Sequence, residues 1–318
     1  MAKENTSNSG NISLHVLGCR GSMSVSGPSF VKYGGATSSY LYMTDTEAII
    51  IDAGTGILNL PDLGERHVSL LISHSHIDHI LGLPIFLGSL GAKELTIYGA
   101  VHEGLTIRQQ LDTYLKHPLW PVGFDVFASK ITFVDVKENA EPFLIYHGDR
   151  DQGVMVTAVP SNHPGGSTIY KLECQGTSLV YASDFEHEEL PKERRDAAAI
   201  DAAVTSAHSL EARELITQMG CNPLGAISSF AKDADIVLYD AQYTTEEYQR
   251  CKAFGHSTPD KANELRLLAG VKHMLLVHHA PGHTDTFLNG MEREFRYKFN
   301  CSPDEMRMAK EGDVILIK

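Results

Sequence analysis

The chain reads as an α/β protein folded as a four-layer αββα sandwich, two sheets face to face with helices outside. Two observations lead there. Short β-branched runs come in two batches, one in each half of the chain, and helical segments lie between and after the batches instead of alternating strictly with the strands. No repeat of 20 to 50 residues and no low-complexity linker divides the 318 residues, so a single domain over 1–318 is expected.

The first batch is "ISLHVLG" (12–18), "SSYLYMT" (38–44), "EAIIIDAG" (47–54), "VSLLIS" (68–73) and "ELTIYG" (94–99), each flanked by Gly, Asp or Asn. Between the last two, "HILGLPIFLGSL" suggests a short helix; a helical stretch near 101–116 and the loop "HPLWPVGF" follow. The second batch is "VMVTAVP", "STIYKLE" and "SLVYAS". Residues 185–232 then turn charged and alanine-rich, and read as a helical insertion placed where it could form a lid or a homodimer contact. Strand "DIVLYD" (235–240), a helix from Ser257 to about Ala269 with Ser257 as its cap, strand "HMLLVHH" (273–279), a further helix and "DVILIK" complete the chain.

Composition narrows the function classes. Lys+Arg 27 against Asp+Glu 40 gives a formal net charge of -13, which disfavours long nucleic acid as a partner and points to a small molecule. The opening "MAKENTSNSGNI" has no apolar core of a secretory signal, and no apolar run is long enough to span a membrane, so a cytoplasmic location is expected. Five widely spaced cysteines without a C-x-x-C pair suggest neither a disulfide framework nor a cysteine zinc site.

Histidine is the informative residue: sixteen are present, gathered at the ends of apolar runs. In "SHSHIDH" (73–79), His74 and His76 are two apart in an extended segment and project to one side; Asp78 and His79 follow where the chain turns into a helix. Imidazole and carboxylate donors in this density suit a borderline divalent cation. Further ligands must come from other strand ends, and His163 in "PSNHPGGST", Asp184 after "LVYAS" and His278 after "MLLV" are placed to supply them. A lone histidine or aspartate at a strand end is more often a structural hydrogen-bonding residue; three of them accompanying H-x-H-x-D-H shift the balance toward ligands.

Taken together, "HSHIDH", "NHPGG", "YASD", "DAQY", "GHSTPDKANEL" and "LLVHHAPGH" resemble, in order, the motifs of the metallo-β-lactamase fold, and among its members the phosphodiesterase and ribonuclease Z branch. The resemblance runs from about Ile12 to Phe287. It implies two divalent metal ions, Zn²⁺ first with Mn²⁺ or Fe²⁺ as alternatives. It assigns His74, His76 and His163 to one, Asp78, His79 and His278 to the other, and Asp184 as the bridge. Asp78 then serves catalysis as well as binding, Asp52 orients the histidine loop without binding metal, and His279 is the competing choice for His278.

The same resemblance bears on the reaction. "NHPGGST" lacks the second Gly-His of ester and lactone hydrolases, and His76 stands where the oxygen-reducing branch has a glutamate. His256 of "GHST", supported by Asp240, matches the histidine that acts on the scissile phosphate. The amino-terminal "GCRGSMSVSGPSFVKYGGATSS" resembles the opening of a bacterial subgroup acting on cyclic nucleotides, with Arg20, Ser22, Thr37 and Ser38 as substrate contacts; Met23 and Ser24 depart from its usual proline. The expected activity is hydrolysis of a small cyclic-nucleotide or nucleotide-derived phosphodiester by metal-bridged hydroxide. The alternatives are a tRNA 3′-end endonuclease and a non-catalytic metal-binding scaffold or ligand sensor.

Overall fold

The computed structural model describes residues 11–318 apart from 92, 128, 129 and 149. Residues 1–10, on which the reading of the amino terminus as leaderless rests, therefore lie outside the described residues.

Among the described residues the strands are β1 (Ser13–Gly18), β2 (Ser39–Met43), β3 (Glu47–Ile51), β4 (His67–Ile72), β5 (Leu95–Ala100), β6 (Ile131–Val136), β7 (Pro142–Ile145), β8 (Val154–Pro160), β9 (Thr168–Cys174), β10 (Thr177–Ala182), β11 (Ile236–Asp240), β12 (His273–Val277), β13 (Met306–Met308) and β14 (Val314–Leu316). They form two sheets, ordered β14-β1-β2-β3-β4-β5-β6 and β13-β12-β11-β10-β9-β8-β7. The helices are α1 (Ile77–Ile80), α2 (Leu83–Ser89), α3 (Ile107–Tyr114), α4 (Ala197–Ser206), α5 (Leu210–Cys221), α6 (Pro223–Phe230), α7 (Thr245–Tyr248), α8 (Pro259–Ala269) and α9 (Asp285–Phe299).

Three buried clusters define the layers. Val16, Ile49 and Leu71 of the first sheet meet Val156, Leu172 and Leu238 of the second in the central core. Ile50, Leu70 and Ile97 turn outward onto Leu83, Phe86 and Leu111 of α2 and α3. Val180, Val237 and Leu276 face Ile227, Leu265 and Phe295 of α6, α8 and α9. Strands covered on both faces lose polar alternation, which is why β3 reads "EAIII" and β11 "IVLYD", every residue buried. Truncating one such residue, Leu238→Ala, would cost about 2–5 kcal/mol through lost burial and the cavity left behind.

In both sheets the strands next to the site run parallel: β3 to β6, and β10 to β13. Parallel neighbours need a crossover, and residues 185–232 are the crossover from β10 to β11, with α4, α5 and α6 in it. Its first part is less helical than its composition suggests: only Lys192–Arg194 forms a 3₁₀ turn before Asp196 caps α4. The sequence reading also passes over β6, β7 and β13, and it starts the helix at 101, whereas Thr106 caps it with a reciprocal Gln109 bond. Helix α8 is capped by Thr258, whose side chain accepts from Lys261 N, so the cap assigned to Ser257 moves one residue on. Pro259 occupies the first turn and Gly270, at φ 69°, stops the helix.

Candidate metal centre

The site is assembled where the carboxyl ends of the two parallel strand sets face one another. From the first sheet, β3 ends at Asp52, a fully buried residue at φ 60°. Its carboxylate accepts from Ser73 N at 2.7 Å, Ser73 Oγ at 2.8 Å, His79 Nδ1 at 2.7 Å and Tyr181 Oη at 2.6 Å. The first three bonds fix the loop leaving β4, and the fourth crosses from the second sheet. With its Nδ1 proton held by Asp52, His79 presents Nε2 to the centre. His76 is the residue before α1, in extended conformation, and the helix then delivers Asp78 and His79 in its first turn.

The second sheet contributes single residues. The loop after β8 carries His163, whose Nδ1 donates to Gly255 O at 3.0 Å, leaving Nε2 3.2 Å from His76 Nδ1. Beyond β10, Asp184 adopts φ 54° and divides its carboxylate. Oδ1 lies 3.1 Å from His79 Nε2 and 3.2 Å from His278 Nε2; Oδ2 lies 3.8 Å from His74 Nε2 and 3.9 Å from His163 Nε2. His278, just past β12 at φ 64°, also has Nε2 3.1 Å from Asp78 Oδ2. Two donor groups exclude His256, with His74, His76, His163 and Asp184 in one and Asp78, His79 and His278 in the other; a third combination brings His256 together with Asp184 and His278.

These groups fit divalent cations on three counts. The pair His79 Nε2 and His278 Nε2 is 3.4 Å apart, and His76 Nδ1 and His163 Nε2 are 3.2 Å apart. Two imidazoles on one tetrahedral zinc stand about 3.3 Å apart, given metal–nitrogen bonds of about 2.0–2.1 Å. His74 Nε2 is buried without a hydrogen-bond partner, a cost that a ligand bond removes. The third count is charge. Burial pushes the His74 pKa well below the ordinary imidazole value and that of His163 down to about 3, so this group offers neutral nitrogens. Around Asp184 the balance reverses: burial still opposes protonation of His79 and His278, but Asp184 and Asp78, with Asp52 or Asp240 alongside, outweigh it. His79 is held well above the usual value and His278 at about 9. The carboxylates there demand positive charge, which protons or a cation can supply.

Beside the ligands, His256 Nδ1 is 2.8 Å from Asp240 Oδ2, and its ring stacks on His278 with centroids 4.8 Å apart. Asp240 Oδ1 accepts from Ser257 N and Oδ2 from Asp184 N, while His278 Nδ1 stands 3.7 Å away. One carboxylate thus touches His256, the backbone of Asp184 and the outer edge of the His278 ring. His279 points elsewhere: its Nε2 donates to Ala309 O at 2.9 Å and burial lowers its pKa to about 3.

The four residues read as substrate contacts separate. Ser22 is exposed, donates its backbone N–H to Asp78 Oδ2 at 2.6 Å, and accepts from Gln242 Nε2 at 2.9 Å. Arg20 is fully buried: its Nε donates to Gly34 O and its Nη1 to Ala280 O and His283 O, while Nη2 is buried without a hydrogen-bond partner. Thr37 and Ser38 are buried as well: Thr37 Oγ1 accepts from Thr55 N, and Ser38 Oγ donates to Arg20 O. The glycine-rich opening therefore builds a braced loop, with Ser22 as its representative beside the ligands. Residues that sequence reasoning passed over include Ser73, Tyr181, Gln242 and Glu186. Only Glu186 carried a visible signal, an acid inside "SDFEHEE" two residues after Asp184.

Comparison with known proteins follows this geometry. A family model described as the beta-lactamase superfamily domain matches residues 47–279. The ribonuclease Z of Haloferax volcanii is 25% identical over 251 residues, 76% of this chain and 78% of that protein. In fold, the metallo-beta-lactamase fold protein YhfI from Bacillus subtilis gives a TM-score of 0.63 at 15% identity, covering 96% of this chain and 99% of that one. A diphosphatase from the PhnP family gives 0.59 at 16%, covering 96% and 97%.

Proposed function

Since the chain belongs to the beta-lactamase superfamily, we propose that it is a dinuclear metal-dependent phosphodiesterase acting on a small, nucleotide-derived phosphodiester such as a cyclic nucleotide. The observation that carries the reading is the Asp240–His256 pair, 2.8 Å apart and stacked against the ligand His278. Two cations, held by His74, His76, His163 and Asp184 on one side and Asp78, His79, His278 and Asp184 on the other, would supply Lewis acidity and acidify water.

The chain's own residues do the rest. Asp52 fixes the His79 tautomer, Gly255 O fixes that of His163, and both keep ligand nitrogens aimed inward. Asp240 holds the Nδ1 proton of His256, so Nε2 is the atom that meets the phosphodiester, giving a proton to the leaving oxygen or stabilising charge on the phosphoryl group. Ser22, exposed and tied to Asp78 by its N–H, carries a hydroxyl that can contact the substrate if it leaves Gln242.

RNA cleavage is the second reading, favoured by the ribonuclease Z relative; that relative weighs against setting nucleic acid aside on charge alone. Supporting the small substrate are the net charge of -13 and the use of residues between Gly99 and Val154 in α3 and the sheet-edge strands β6 and β7. The test is a side-by-side assay of zinc- or manganese-loaded protein on cyclic mononucleotides, bis-p-nitrophenyl phosphate and precursor tRNA. Turnover of a small diester, lost in His256→Ala, is the expected result. Preferred cleavage of the tRNA would move the chain to the second reading, and full metal occupancy with no turnover would leave a metal-binding scaffold.

A further inference from the structure

The residues on either side of His256 are held by Glu186 and His187, two and three positions after Asp184. Glu186 is fully buried. Its Oε2 accepts from Gly255 N at 3.3 Å and its Oε1 from the Tyr248 hydroxyl, so no cation is among its hydrogen-bond partners. His187 Nδ1 lies 2.9 Å from Ser257 Oγ, and its ring packs on Tyr248 with centroids 4.2 Å apart. Glu186 thus holds the residue before His256, and His187 the residue after it.

The Gly255 peptide has a second partner. Its carbonyl is the acceptor that fixes His163 Nδ1 at 3.0 Å. The residue sits at φ 95°, and a Cβ there would lie 2.1 Å from His163 Nδ1, so only glycine brings the main chain this close. One peptide unit therefore joins three things: the buried carboxylate through its N–H, a ligand histidine through its C=O, and His256 through the chain. Burying a carboxylate without a counter-charge is costly, and a turn that only needed packing would be better served by an apolar side chain.

We propose that Glu186, backed by His187, is a positioning residue that acts through the Gly255 peptide, setting the ring orientation of His163 and the placement of His256 at the phosphodiester. The proposal rests on the phosphodiesterase reading for His256, but its effect on His163 stands without it. Glu186→Gln retains an oxygen for Gly255 N and can give a proton to the Tyr248 oxygen, so it is the rescuing variant; Glu186→Ala removes both bonds.

The experiment measures chelator competition and diester turnover on metal-loaded wild type, Glu186→Ala, Glu186→Gln and Tyr248→Phe, each checked for folding by circular dichroism. Glu186→Ala is expected to weaken affinity for one metal equivalent about tenfold or more, as loss of a partner behind a ligand does. Turnover should fall about 10- to 100-fold with KM changed little, and adding Glu186→Ala to His256→Ala should cost almost nothing further, because the two act in series. Glu186→Gln should lie within about threefold of wild type, with Tyr248→Phe between the two Glu186 variants. A folded Glu186→Ala with wild-type metal affinity and turnover would overturn the proposal, as would a Glu186→Gln as impaired as the alanine variant. Should Glu186→Ala fail to fold, Tyr248→Phe decides by the same two readouts. Where even wild type turns over no diester, the function reading fails, and the chelator experiment alone still decides the Glu186 inference.

Discussion

The first sheet hands over its candidate donors as one run, His74 to His79, from a single strand end, whereas the second delivers His163, Asp184, Asp240 and His278 one at a time. A single extended-to-helix turn places four candidate donors because the spacing of side chains changes within it. The second arrangement needs register: Ala182 pairs with Tyr239 and Asp240 with Val277, so Asp184, Asp240 and His278 arrive at one edge. The first sheet therefore owns a local motif and the second a property of the folded sheet. Damage should differ accordingly, and the two meet at Asp184, whose oxygens face both donor groups.

Asp184→Ala should have the largest effect. Removing a carboxylate shared by both groups is expected to lose both metal equivalents by elemental analysis, with turnover falling to background. The same variant should lose the stabilisation that chelator removes from wild type. Metal at one hundred times its dissociation constant adds about 2.7 kcal/mol to the folded state, so chelator should lower the wild-type Tm and leave the variant unmoved. Retention of one equivalent would show that one of the two groups can hold a cation without Asp184.

His256→Ala comes next. On the proposed reading it removes the group that meets the substrate; the ring stacks on His278 without serving as a ligand itself, so metal content should stay at two equivalents while turnover falls about 10²- to 10⁴-fold, the range for lost acid–base help. Loss of metal would instead place His256 among the ligands. The grouping of His256 with Asp184 and His278 makes this a sharp test of how the second sheet divides its residues between metal and substrate.

Legibility followed the same division. "SHSHIDH" could be read as a metal-binding run from residue type and spacing alone, because its geometry is local. His163, Asp184 and His278 were visible only as polar residues at the ends of apolar runs; their number beside H-x-H-x-D-H pointed to ligands, and it took the resemblance to divide them between two metals. Arg20, Thr37 and Ser38 look like phosphate contacts on paper because glycine, hydroxyl and guanidinium suit an anion; Arg20 is instead buried against carbonyls 260 and 263 residues away, those of Ala280 and His283, while Thr37 bonds Thr55 and Ser38 bonds Arg20 O. The strands β6 and β13 were missed for another reason: β6 is half-exposed with an irregular pattern and β13 is only three residues long.

Asp52→Asn tests the first sheet from behind its ligands. The amide keeps the shape but cannot accept all four of the present hydrogen bonds, and it offers His79 Nδ1 a donor as readily as an acceptor. Metal affinity is expected to fall about 10- to 100-fold, read by chelator competition, with turnover recovering at saturating metal. A turnover defect that persists at saturation would mean that Asp52 also aligns the two sheets through Tyr181 Oη, making the first sheet's motif less self-contained than its sequence suggests.

The smallest effect should come from Ser22, which ties the sheets together through a main-chain group. Its N–H donates to Asp78 of the first sheet and its hydroxyl accepts from Gln242 of the second, while its φ of 61° lies in the left-handed region. Ser22→Gly relieves about 1 kcal/mol of backbone strain, but loses a hydrogen bond worth about 1 kcal/mol and adds unfolded-state entropy. Stability should therefore stay within about 1 kcal/mol of wild type, a Tm change of roughly 2–4 °C at most. Ser22→Ala keeps the strain and loses the same bond, so the pair separates conformation from hydroxyl chemistry. Both variants retain the N–H that faces Asp78, and both should bind two metal equivalents; a shared rise in KM would assign the hydroxyl to the substrate. If glycine loosens metal where alanine does not, the constrained φ of Ser22 is what presses its N–H onto Asp78, and the link between the two sheets is conformational as well as electrostatic.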